Sequence, residues 1–362
     1  MRILFAFAGG QGHLDPLVPL ARAAQAAGHD VAVTGRAELL GSIEERGFVA
    51  LESPGDQPDP TLRMPLKPYD PADEERALRE WYAGTLARRR AEALIDLARE
   101  WGAGAIVRDE VDYGARIAAE RLGLPSACVL VIAGAAFLRS DISDERVAWL
   151  RGELGLDGPQ PEETVLSPFP PSVRSEAGAF AFREGEPPAA SGDAVYLTLG
   201  TVFNAESGDL LPRALAGVRD LGVPVVVTTG RQIDPAELGP QPPYVRVQRW
   251  IPQEELLPWC RAVVSQGGSG IALAALAHGL PSVLLPIGAD QPYTAAVVAE
   301  LGAGIVLDPL TATPDDIAAA VFRVLDEPSY AVAARRVREE ILALPSAAEA
   351  VAWLERTSTA AG

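Results

Sequence analysis

The sequence predicts an α/β protein built from two doubly wound domains. Its 362 residues are too many for one ordinary domain and enough for two, each with its own core. Short apolar runs end in glycine turns that lead into helices, the rhythm of βαβ units with parallel strands and right-handed crossovers. A Pro- and Gly-rich stretch interrupts that rhythm near the middle of the chain, after which it restarts.

The first apolar run, Ile3 to Ala8, is shorter than a signal-peptide core and reads as a buried strand. The turn Gly9, Gly10, Gly12 follows, then a helix from about Leu14 to Ala27, closed by Gly28 as helix C-termini commonly are. A strand from Asp30 to Thr34 completes the unit. Further strands are read at Gly104 to Arg108 and Ser126 to Val131, with a helix between them near Tyr113 to Leu122. The Pro- and Asp-rich segment from Ser53 to Asp73 is longer than ordinary connections and is a candidate binding element; a long helical stretch, about Ala72 to Trp101, follows it.

From Gly155 to Gly192 the prolines 168, 170, 171, 187 and 188 break any regular element, and this stretch carries the interdomain linker. Beyond it, strands are read at Ala194 to Leu199, Val223 to Thr228, Ala262 to Ser265, Ser282 to Pro286 and Gly304 to Leu307, with a helix near Leu210 to Leu221. A helical region from Pro328 to Arg356 ends the pattern. These readings place a first domain at 1–175, a linker at 176–192, a second domain at 193–345 and a C-terminal helix, 346–362, packing back towards the first domain.

With 49 acidic and 31 basic residues the net charge is −18, which repels nucleic acid and anionic membrane surfaces. An anionic ligand then has to be held by local devices such as helix N-termini. Cys128 and Cys260 supply neither a disulfide framework nor a Cys-rich metal site. No stretch has the length and apolarity of a membrane span. The expectation is a cytoplasmic protein without nucleic-acid or membrane partners, its oligomeric state open between monomer and homodimer.

Two constellations carry chemistry. Gly9-Gly10-Gln11-Gly12-His13-Leu14-Asp15-Pro16 sits where a strand ends and a helix begins, the edge at which open α/β sheets bind ligands. It fails as a dinucleotide fingerprint, because that series requires glycine at Asp15. An imidazole at that edge has the pKa to take a proton from a hydroxyl near neutrality. An isolated histidine is more often a helix cap, but Asp109 ends another strand, where a carboxylate can orient an imidazole. Glu110 and Asp112 are rival carboxylates. The second constellation is Gln266-Gly267-Gly268-Ser269-Gly270, a turn that brings backbone close to a phosphate in front of a helix. Trp250 and Ile251 precede it, with an indole to stack on a base, while Asp290 and Gln291 follow it with polar groups for sugar hydroxyls. Leu199-Gly200-Thr201 is a further edge turn.

Gly10-Gln11-Gly12-His13 through Pro16, Leu197 to Thr201 and the run Trp250 to Gln291 resemble, in order and approximate spacing, the blocks of the inverting GT-B glycosyltransferases. That family includes plant UDP-glycosyltransferases and actinomycete enzymes that decorate antibiotics. The resemblance spans almost the whole chain and implies two Rossmann-like domains facing each other across a cleft. It implies His13 as general base with Asp109 as its partner, and a nucleotide-sugar as co-substrate with no cofactor or metal. The donor set it implies is Gly12, Gly200, Thr201, Arg231, Trp250, Ile251, Gln266, Gly267, Gly268, Ser269, Gly270, Asp290 and Gln291. Met64, Trp81 and Phe137 are candidate contacts for a hydrophobic acceptor.

The chain departs from the family where Gln266 replaces a histidine, Ile271 a threonine, and Ala274 the plant members' ribose-binding glutamate. The last change favours a deoxyribose donor such as a dTDP-sugar. Two rival readings are an NDP-sugar epimerase and a nucleotide-sugar-binding protein without transferase activity.

Overall fold

The computed structural model describes residues 1–55, 63–200 and 203–360, with side chains as far as Arg356. Thr201 lies outside the described residues. The first sheet contains β1 (Arg2–Ala6), β2 (Asp30–Gly35), β3 (Val49–Glu52), β4 (Ala105–Asp109), β5 (Ser126–Val129), β6 (Thr164–Ser167) and β7 (Phe180–Ala181). They run parallel in the order β3-β2-β1-β4-β5-β6-β7. The second sheet contains β8 (Ala194–Thr198), β9 (Val225–Thr228), β10 (Val245–Gln248), β11 (Cys260–Ser265), β12 (Ser282–Leu284) and β13 (Gly304–Val306). These too are parallel, in the order β10-β9-β8-β11-β12-β13.

Both orders reverse direction between the first and fourth strands, β1 beside β4 and β8 beside β11, so each sheet has a topological switch point. Helices cover both faces, which is why strands such as β8 are buried along their whole length and read as unbroken apolar runs. Val195, Leu197, Val225, Val264 and Val283 pack with Leu211, Val218 and Val321 in the core of the second half. Phe5, Val33, Val107 and Val129 do the same in the first, with Leu17 and Leu20.

The structure departs from the sequence reading at several elements. The stretch 155–192 is not free of regular structure, because β6 and β7 lie in it. These strands are short and set between prolines, yet Leu166 of β6 and Phe182, just after β7, are fully buried. β7 also falls within 176–192, the span read as linker. β3, β10 and the helices Ala37–Glu45, Ser140–Glu153, Gln291–Glu300 and Pro314–Asp326 go unread in the sequence; the two strands have only four residues each and end their sheets.

The helical stretch predicted from Ala72 runs as Pro71–Arg76, a π-helical segment Ala77–Leu86 and Ala87–Trp101. The last helical region divides at Pro345 into Pro328–Ala343 and Ala347–Ala360. The second of these lies against the helix Val18–Ala26 of the first half. Ala350 and Val351 enter that half's core, Trp353 stacks on Phe180 at 4.8 Å, and Glu355 meets His29 Nε2 at 2.9 Å. Among the described residues no helix is long and apolar enough to cross a membrane.

Candidate active site

His13 follows β1 and Asp109 ends β4, so the two flank the first switch point. The helix begins one turn early, Gln11–Leu14, and carries His13 back over Gly9; a Cβ at Gly9 would stand 2.3 Å from the imidazole Cδ2, so only glycine fits. His13 Nδ1 lies 2.8 Å from Asp109 Oδ2, with the Asp109 side chain fully buried and that of His13 27% exposed. Asp109 also accepts from the backbone N–H groups of Ala8, Val111 and Asp112, which fix its orientation.

Burial by itself pulls the His13 pKa down. The charge and hydrogen bond of Asp109, with Asp290 and Glu110 further off, outweigh it and hold the imidazole above its ordinary value. Burial likewise pushes Asp109 up, but His13 and the Ala8 N–H prevail and keep its carboxyl below the usual range. With Nδ1–H donated to Asp109, Nε2 is the basic nitrogen.

The rival carboxylates are committed elsewhere. Asp112 takes both arms of the buried Arg90 guanidinium, at 2.9 and 2.5 Å, and caps the helix Tyr113–Leu122 through Ala115 N–H. Glu110 pairs with buried Arg174 at 2.8 Å and accepts from the N–H groups of Val131 and Ile132. Geometry therefore leaves Asp109 as the carboxylate on His13.

The second switch point brings the Gly200 and Gln266–Gly270 turns together. Gly200 has φ +78°, and a Cβ there would stand 2.4 Å from Gln266 Nε2. Gln266 is buried, and its Oε1 has no hydrogen-bond partner among the described residues. Gly268 is the N-cap of the helix Ser269–Ala277, and among the described residues no side chain caps the first N–H groups. Trp250 is 68% exposed, and Ile251 packs on the apolar cluster of Leu256, Ile271 and Ala275. Arg231 is exposed, its carbonyl taken by Arg249. Gly12 is exposed in the first turn of the His13 helix.

Two residues of this set also make hydrogen bonds within the protein. Gln291 is 2% exposed, and its Oε1 accepts from Ile287 and Gly288 N–H, groups that β12 leaves unpaired, so it shapes the turn. Ser269 Oγ accepts from Ala133 N–H of the first half and donates to Asp290 Oδ2 at 2.6 Å, so it ties the halves together. Asp290 Oδ2 also accepts from Thr294 Oγ1, and Oδ1 has no partner among the described residues.

The segment from Arg63 to Glu74 spans the cleft. Arg63 reaches Glu237 through both arms of its guanidinium, Met64 N–H donates to Ala205 O at 2.8 Å, and Leu66 packs against the second half's core. Glu74 Oε1 accepts from Ala289 N–H at 3.0 Å. Trp81 is half-buried on the Leu78 and Val147 cluster, with Nε1 buried and without a partner among the described residues. Phe137 stands 6.1 Å from Tyr293 in the cleft. Sequence reasoning marked this segment as a binding element but missed Tyr69, Glu74 and Tyr293. Tyr293 lies only two residues beyond Gln291, yet nothing local marks it, because its neighbours come from the other half.

Residues 213–357 match the family model described as erythromycin biosynthesis protein CIII-like, C-terminal domain. The chain is 31% identical to the 10-deoxymethynolide desosaminyltransferase of Streptomyces venezuelae, over 98% of this chain and 97% of that one. It is 33% identical to the elloramycin glycosyltransferase ElmGT of Streptomyces olivaceus, again over 98% and 97%. The structure of the Streptomyces sp. SF2575 glycosyltransferase SsfS6 complexed with thymidine diphosphate matches with a TM-score of 0.77 at 25% identity, covering 98% of this chain and 99% of that one. The fold is GT-B. The chain belongs to the family of actinomycete antibiotic glycosyltransferases.

Proposed function

We propose that the protein transfers a deoxysugar from a dTDP-sugar to a hydroxyl of a hydrophobic natural-product acceptor, with inversion at the anomeric carbon. The observation that carries this reading is the His13–Asp109 pair at one switch point, set across the cleft from a glycine turn and uncapped helix N-terminus at the other. His13 Nε2 takes the proton of the acceptor hydroxyl while Asp109 holds the ring and steadies the imidazolium that forms. The acceptor oxygen attacks the anomeric carbon from the face opposite the nucleotide, and the bond to the diphosphate breaks. Charge developing on the diphosphate is met by the amides of Gly267 to Gly270 and by the positive helix end, so the step needs no metal or cofactor.

Trp250 offers an open indole face to the base, and Asp290 offers a carboxylate to the sugar. Gln266 supplies a carboxamide where the family's histidine would add charge, which puts more weight on the backbone amides. Ala274 offers no acceptor to a ribose hydroxyl, in keeping with a deoxyribose nucleotide. The relatives point the same way: one structure holds thymidine diphosphate, and one relative acts on 10-deoxymethynolide.

The test is His13→Ala assayed by mass spectrometry with a panel of dTDP- and UDP-sugars and polyketide acceptors. Transfer should fall by roughly 10²–10⁴, with donor affinity by calorimetry within about twofold of wild type. Unchanged transfer would remove the mechanism, and sugar turnover without acceptor would favour an epimerase. Tighter binding of UDP-sugars than of their dTDP counterparts would overturn the nucleotide assignment.

A further inference from the structure

Asp290 is the N-cap of the helix Gln291–Glu300, yet its carboxylate makes no capping bond. An aspartate in that place ordinarily accepts from the free N–H groups of the first turn. Here Oδ2 turns aside and accepts from two hydroxyls, Ser269 Oγ at 2.6 Å and Thr294 Oγ1 at 3.2 Å. The residue before it, Ala289, has φ +51°, the single non-glycine residue with positive φ among the described residues. A residue that carries a Cβ stays in that region where its surroundings hold it there. The charge of Asp290 is felt at His13, so this turn faces the reacting centre.

The first half holds the turn at two points. Glu74 Oε1 accepts from Ala289 N–H at 3.0 Å, and Ala133 N–H donates to Ser269 Oγ at 2.7 Å. The loop that brings Ala133 is itself fixed: Glu110, next to Asp109, accepts from Val131 and Ile132 N–H, and Arg174 bridges Glu110 and Ile132 O. Gly134 closes the contact. Its φ of −80° suits any residue, but a Cβ there would stand 2.5 Å from Tyr293 Cβ and 2.7 Å from Thr294 N, so the two halves meet backbone on backbone. An unbroken run of covalent and hydrogen bonds thus leads from the strand end that carries Asp109 to the Asp290 carboxylate.

Resting on the donor reading above, we propose that Ser269 is a positioning residue, which couples the docking of the two halves at Ala133 and Gly134 to the aim of the Asp290 carboxylate. The sugar of the donor is gripped in its reacting orientation only while that contact is closed, whereas the nucleotide is held by the second half alone.

The test uses the full chain, calorimetry and two probes: dTDP, and the dTDP-sugar that gives most product in the transfer panel. Ser269→Ala should weaken the sugar donor about tenfold, the scale of a hydrogen bond to a charged group, and leave dTDP within about twofold. Gly134→Ala wedges the halves apart and changes no residue of the donor set. It should reproduce the loss for the sugar donor and spare dTDP. Because Ser269 acts through Asp290, adding Ser269→Ala to Asp290→Ala should weaken the sugar donor by less than about twofold more. An unchanged sugar-donor affinity in Gly134→Ala would sever the coupling. An equal loss for dTDP and the sugar donor would make Ser269 part of the nucleotide site, and full additivity with Asp290→Ala would give it a role apart from that carboxylate. Each of these results overturns the proposal and leaves the transferase reading intact. No product from any pair in the panel would overturn the transferase reading, and this proposal with it.

Discussion

Asp109 decides how His13 behaves, and its effect is open to measurement through pH. On the proposed mechanism His13 has to be neutral to accept a proton, so transfer should rise as pH climbs through the imidazole pKa, which Asp109 holds above its ordinary value. Asp109→Asn removes the raising charge and leaves burial, which acts the other way. The acid limb of the kcat/KM profile should therefore move to lower pH, and the plateau should drop by at least about tenfold as the ring loses its fixed tautomer. A limb that stays in place would mean that Asp109 does not set the His13 charge. His13 and Asp109 were both legible as strand-edge residues. The choice among Asp109, Glu110 and Asp112 was not, because it depends on Arg90 and Arg174, which arrive from 22 and 64 residues away. The two backbone N–H groups that Gln291 Oε1 serves were likewise not legible, because they belong to a turn whose shape only the fold fixes.

The helices that frame the His13 site are locked by a buried ion pair whose removal has a foreseeable sign. Arg90, in the helix Ala87–Trp101, is 1% exposed and binds Asp112 at the start of the helix Tyr113–Leu122; its Nη1 also donates to Ser53 Oγ. Asp112→Ala leaves a guanidinium uncompensated in the interior and removes a helix cap, so urea denaturation should show a loss of about 3–5 kcal/mol. The double variant Arg90→Leu, Asp112→Leu should lose less than Asp112→Ala, since no unpaired charge is left behind. Strands that announce themselves, such as β1, β4 and β8, are those with apolar runs bounded by glycine. β3, β6, β7 and β10 are two to four residues long, and pairing with a neighbouring strand, rather than local pattern, makes them strands. The cleft residues Tyr69, Glu74 and Tyr293 escaped for the same reason, since they meet only when the two halves come together.

Net charge puts a further demand on the whole molecule. At −18 the protein repels an anionic nucleotide at long range, yet on the proposed reading the donor turn has to hold it at contact. On the proposed donor reading, the N–H groups at the start of the helix Ser269–Ala277 would answer the second requirement, and their dipole acts only within about the first turn. The two effects respond differently to salt. The long-range field reaches about 30 Å at 0.01 M and about 8 Å at 0.15 M ionic strength, whereas buried contacts are screened far less. Stopped-flow binding of dTDP should therefore show an association rate that increases severalfold between those conditions, with a dissociation rate that changes little. An association rate that falls with salt would mean that an attractive local field, centred on exposed basic residues such as Arg231 and Arg246, governs approach to the cleft, and that net charge does not reach the donor on its way in.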